Sequence, residues 1–282
     1  MTRGTYRTRP GSRRMGSSRF IVAIVMAAMA LISYYGSQSY NPVTDETQYV
    51  AITPEQEIAL GLQSVDEMSR MHGGAYPDEN LQGLLDAICD QIIFNSDAAQ
   101  TNWPFECTLL ADQEVVNAFA LPGGQMFITA ALFNRLETEG QLAGVMAHEI
   151  GHVVARHSAQ QIAQQQLTQG LSGAAVIAAM DPADPRSAGA AQVAAMVSGV
   201  VNMKFGREHE LQSDELGVLF MAQAGYDPRS LIDVMQILAE ASGGSRQPEF
   251  LSTHPDPGNR IGEIQRHIDA IFPEGVPDTY IP

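Results

Sequence analysis

His148-Glu149-Ile150-Gly151-His152 is the stretch of this 282-residue chain whose residue types and spacing could do chemistry. It lies in a helix-like run, Gln141 to His157, flanked by apolar Leu142, Val145, Met146, Ile150, Val153 and Val154. At 3.6 residues per turn, positions i and i+4 share one helix face, so both imidazoles can grip a single metal ion. Glu149 then points at a metal-bound water, where a general base is needed. Burying His, Glu and His without partners is costly, and a metal removes that cost. Catalytic zinc usually takes three protein ligands and keeps one open position. Glu210 and Asp214, again i and i+4, supply the rest: Glu210 reaches the metal, and Asp214 accepts the N–H of a zinc-bound histidine and fixes its tautomer. Glu208 and Glu215 read as a solvated face, and His209 as an exposed neighbour.

Four stretches, in order, carry a family resemblance: His148 to His157, Glu210 with Asp214, Asn117 to Thr129, and Ser252-Thr253-His254-Pro255 through Ile261. Together they resemble the HtpX and CAAX-prenyl-protease family of gluzincin metallopeptidases, particularly its periplasmic and Oma-type branch. The likeness spans roughly residues 53–272. It implies one Zn2+ per chain held by His148, His152 and Glu210, with Glu149 as the base and Asp214 orienting a histidine. It also implies His254 near the metal, either as a transition-state donor or as a fourth ligand closing the resting site, with Arg260 at the same rim. Gly140-Gln141 departs from the family, whose members often carry acidic residues there. The implied activity is that of a zinc endopeptidase of the cell envelope, degrading misfolded or misassembled proteins. The alternative is an envelope folding or assembly factor with rare or gated cleavage.

Charge is lopsided. The net charge is −16, yet residues 1–36 hold six arginines and no acid, leaving 10 basic against 32 acidic residues in the body. So acidic a body excludes nucleic acid as a partner. The arginines precede thirteen apolar residues, Phe20 to Ile32, which read as a cleaved signal sequence or an N-terminal membrane anchor. Arginines inside and body outside would put the protein in the periplasm or on the extracytoplasmic face of the inner membrane. Cys89 and Cys107 are the only cysteines; one disulfide and two buried thiols are equally compatible with the pattern.

The elements that must position the site read as an α+β, mostly helical, zincin-type domain over 53–282, after a linker at 37–52. Thr53-Pro54 starts a helix running to Met71, and another spans 78–93, with His72 as a solvent-exposed cap between them. Strand patterns at 105–110, 115–119 and 125–129 make a small sheet just ahead of the metal helix. If the last strand, Gln125 to Thr129, is an edge, a polypeptide substrate can add to it beside the metal. Leu171 to Val201 reads as two packed helices, or as a segment that covers the cleft or leans on a membrane or partner. Helices then follow at 208–224, 230–241 and 261–272, with a loop at Gly243 to Pro248. Substrate specificity and oligomeric state leave no signal.

Overall fold

The structure is a computed structural model that describes residues 15–179, 206–242, 248–255 and 258–282. The chain divides into two units, one of Met1–Ser37 with Gln164–Val201, the other of Gln38–Ala163 with Asn202–Pro282. In the first unit, helix α1 (Met15–Gly36) includes a 19-residue span, Ser18–Gly36, long and apolar enough to cross a membrane. Its side chains face outward, with Ile24 67 % and Ile32 72 % exposed. The later part of the unit packs on α1 through small residues: a Cβ on Gly170 would sit 2.6 Å from that of Ala30. Only the Leu171 to Ala179 part of the expected apolar insert is helical here; the rest, 180–201, lies outside the described residues, as does 243–247 of the loop.

The second unit begins with a hairpin. Residues expected as a linker instead pair as β1 (Gln38–Asn41) and β2 (Glu46–Tyr49), antiparallel. Asn41 tethers it by donating from Nδ2 to the Val154 carbonyl (2.7 Å). Helix α2 (Pro54–Met71) starts at a capping box between Thr53 and Gln56. Helix α3 (Glu79–Phe94) starts at the Asp78 cap. A three-stranded sheet follows: β3 (Glu106–Leu110), β4 (Ala118–Ala120) and β5 (Gln125–Thr129), in the order β3-β5-β4. The β3–β5 pairing is parallel and β4–β5 antiparallel.

That order corrects the expected substrate strand. Gln125 to Thr129 is the central strand, paired on both sides and fully buried, so nothing can add to it. The outer edge of β3 is closed as well. Gln82 acts as a false strand there, accepting from Leu109 N and donating to Cys107 O (both 2.9 Å). The remaining edge is β4.

After the short α4 (Ala130–Phe133) comes α5 (Glu139–Val154), whose residues 140–154 are all buried. A helix buried all round belongs at the centre of a domain. It packs against α3, α7 (Arg207–Ala224) and α8 (Ser230–Ser242), through Leu85, Ile88 and Ile92 on one side and Phe220, Met221, Leu231 and Val234 on the others. Gly151 allows close approach of α7: a Cβ there would lie 2.7 Å from Ser213 Oγ. Helix α6 (His157–Ala179) follows α5, and α9 (Glu249–Thr253) and α10 (Arg260–Ile271) complete the set.

His72 is not an exposed cap. Positive-φ turns at Gly73 and Gly74 fold the chain back on the sheet, burying the ring against Phe119 with Nδ1 2.9 Å from Asp112 Oδ2. Cys89 and Cys107 form a disulfide joining α3 to β3 across 18 residues. Closing a loop of that size stabilises by about 3 kcal/mol in the chain-entropy picture. Replacing both cysteines by serine is expected to lower the unfolding free energy by about that amount, read as an earlier urea midpoint, with a slope that rises as the unlinked chain expands.

Candidate metal centre

Helix α5 presents His148 and His152 one turn apart, and α7 presents Glu210 and Asp214 in the same way. The helices cross where Gly151 and Gly217 lack side chains, so all four groups meet in one buried space. Ser213 Oγ donates to the His148 carbonyl and pins the crossing. The Nε2 atoms of His148 and His152 are 3.1 Å apart, and lie 3.7 and 3.5 Å from the Glu210 carboxylate. His254, at the end of α9, completes a set of four buried donors all within 4.8 Å of one another. Its ring stacks on Phe250 at 4.4 Å, and its Nε2 is 3.6 Å from Glu149.

Outside this set, His148 Nδ1 lies 2.9 Å from Asp214 Oδ1. Arg260 is not at a rim: it is 1 % exposed, because α10 begins directly over α7. Its Nε and Nη2 donate to the two Asp214 oxygens (2.7 and 2.6 Å), and Nη1 is 3.1 Å from Glu210. Three fully buried carboxylates, Glu149, Glu210 and Asp214, thus share one guanidinium. A divalent cation would neutralise the other two.

Burial holds His148, His152 and His254 below their usual range, so each is the neutral imidazole that a metal requires. Burial likewise pushes Glu210 well above the usual carboxylate range. It raises Glu149 to about 8, against the pull of Arg260 and the Ala120 backbone. For Asp214, burial is outweighed by Arg260 and His148, and the carboxyl is lowered. Apart from the Ala120 backbone beside Glu149 and Arg260 Nη1 beside Glu210, the oxygens of these two carboxylates have no hydrogen-bond partner among the described residues. Buried carboxylates left this way are costly unless a cation sits among them. The donor set of nitrogens and oxygens fits a zinc-type ion.

All seven residues expected at the site are therefore gathered in one place, with Arg260 behind the donors instead of beside the opening. Sequence reasoning gave no part to His157, whose ring packs on that of His152 at 4.8 Å, and it placed His209 in solvent. His209 is half-buried and stacks on the His157 ring at 4.3 Å.

A mostly helical α+β domain, with His-Glu-x-x-His on a central helix and a Glu-x-x-x-Asp helix crossing it, defines a zincin-type metallopeptidase. The chain belongs to Peptidase family M48, whose model matches residues 79–268. It is 27 % identical over 262 residues to the Beta-barrel assembly-enhancing protease of Yersinia pestis, covering 91 % of this chain and 53 % of that one. It is 26 % identical over 258 residues to the human mitochondrial metalloendopeptidase OMA1 (87 % and 48 %). With the putative beta-barrel assembly-enhancing protease of Vibrio cholerae it shares 30 % over 216 residues (74 % and 43 %). The chain spans about half the length of these relatives.

Proposed function

We propose that this metallopeptidase is a zinc-dependent endopeptidase of the cell envelope that cleaves misfolded or misassembled polypeptides. One observation carries the reading: four buried donors converge beside a fully buried carboxylate, Glu149. His148, His152 and Glu210 would hold the ion. Zinc, when bound, supplies a Lewis acid and a water acidified toward neutrality. Glu149 takes the proton of the attacking water and passes it to the leaving amine, as base and then acid. Asp214 fixes the His148 tautomer, and Arg260 holds Asp214 and Glu210 in place. His254 stands where it can close the resting site as a fourth donor, or, turned outward, hydrogen-bond the developing oxyanion. Edge strand β4 precedes the site and faces it through Ala120, so an extended peptide pairing with β4 would present its backbone to Glu149.

The envelope assignment rests on three supports. Helix α1 can serve as an anchor or a signal sequence behind its arginines. A disulfide suits an oxidising compartment. Two relatives are named for beta-barrel assembly, and transmembrane barrels belong to outer membranes. Casein digestion by the full chain tests the activity: chelation should abolish cleavage and added zinc restore it. Cleavage unaffected by exhaustive chelation would refute a metal-dependent peptidase.

A further inference from the structure

His157 is a fully buried histidine that the scheme above leaves unused. Its Nδ1 lies 2.8 Å from Nδ1 of His152, and its Nε2 2.9 Å from Gln212 Oε1. Gln212 Nε2 in turn donates to Glu46 Oε2 at 2.7 Å. We propose that His157, Gln212 and Glu46 form a positioning chain that fixes the tautomer and ring angle of His152 for the metal.

The chain has a forced direction. His152 turns Nε2 toward His148 and Glu210, so a metal there leaves the proton on Nδ1. That N–H requires His157 Nδ1 to accept. The His157 proton then sits on Nε2 and must meet an acceptor, which the Gln212 carbonyl oxygen is. From the other end, Glu46 can only accept, which sets the Gln212 amide nitrogen toward it and the oxygen toward His157. Both ends dictate the same polarity. The two ligands on α5 are thus held differently: His148 by the charged Asp214–Arg260 pair, His152 by a neutral relay that ends on an exposed carboxylate. The relay opens on a cleft of about 530 Å³ that Glu46, His209 and Gln212 help to line.

Local folding explains how His157 gets there. On an unbroken helix, residue i+5 points about 140° away from residue i. Arg156 breaks the helix with φ of 56°, in the left-handed region, and swings His157 back onto His152. Arg156 is locked in that turn by ion pairing to buried Glu57 and by donating to the Ile52 carbonyl (3.0 Å).

The proposal rests on the metal-site reading, and its test separates the two. Zinc affinity of the full chain is measured by chelator competition, and the visible spectrum is recorded with cobalt in place of zinc. His157→Phe and Gln212→Met are each expected to weaken zinc binding about 10–100-fold and to alter the cobalt bands. Combining Gln212→Glu with Glu46→Gln keeps an acceptor for His157 and a donor behind it, so it should restore the affinity. Gln212 is half-buried on a helix face, so its variant decides the matter even if His157→Phe does not fold. Unchanged affinity and spectrum in Gln212→Met, with zinc bound stoichiometrically by the wild type, would overturn the positioning chain alone. A wild type that binds no zinc would overturn both.

Discussion

Glu149→Gln is expected to leave the metal bound and to reduce peptide cleavage by at least 10²–10⁴-fold, the usual contribution of a general base. The substitution keeps the side chain's size, and no other group depends on Glu149 for a hydrogen bond that glutamine could not make. Burial raises this carboxyl to about 8, so its ionised form is costly in the fold, and glutamine removes that cost. Stability should therefore hold or rise while activity collapses. That opposite movement marks a group kept for chemistry at a cost to the fold. Casein cleavage, metal content and the thermal midpoint of the same preparation decide it. A variant that cleaves at the normal rate would refute Glu149 as the base.

Arg260→Met should give the largest loss of stability. The guanidinium is buried, doubly hydrogen-bonded to Asp214 and 3.1 Å from Glu210. Methionine roughly fills the same space, so the lost interaction is mostly charge. Removing one partner of a buried ion pair typically costs 3–5 kcal/mol, because the other is left uncompensated. Here two carboxylates are left, and the bound metal compensates only one side of the site. The loss should consequently be larger after chelation than with zinc present. Urea unfolding in both conditions reads the difference. Equal midpoints for variant and wild type in chelator would contradict a charge-holding role for Arg260.

The site was legible because its information is local. His148 with His152, and Glu210 with Asp214, each sit one turn apart, and helical spacing alone predicts a shared face. A cap gave the start of the first body helix in the same way: Thr53 stands where the sequence places it. What failed to show was set by longer-range geometry or by a single dihedral angle. Three successive strand patterns leave open which strand is the edge; β3 pairs with β5 in parallel and leaves β4 outside. The hairpin at 38–49 has polar strands and no alternation to betray it; it is held by Asn41 reaching the end of α5. His157 was hidden because the helical period runs through it, whereas the left-handed turn at Arg156 does not follow that period. Arg260 was expected near the metal, but nothing in its surroundings in sequence says that it faces α7 and not the opening.

Metal analysis of the full chain tests the central claim most directly, with wild type beside His148→Ala and Glu210→Ala. The account predicts close to one zinc per wild-type chain and little or none in either variant, with the chains still folded by circular dichroism. Stoichiometric zinc retained by both variants would contradict a metal centre built on α5 and α7.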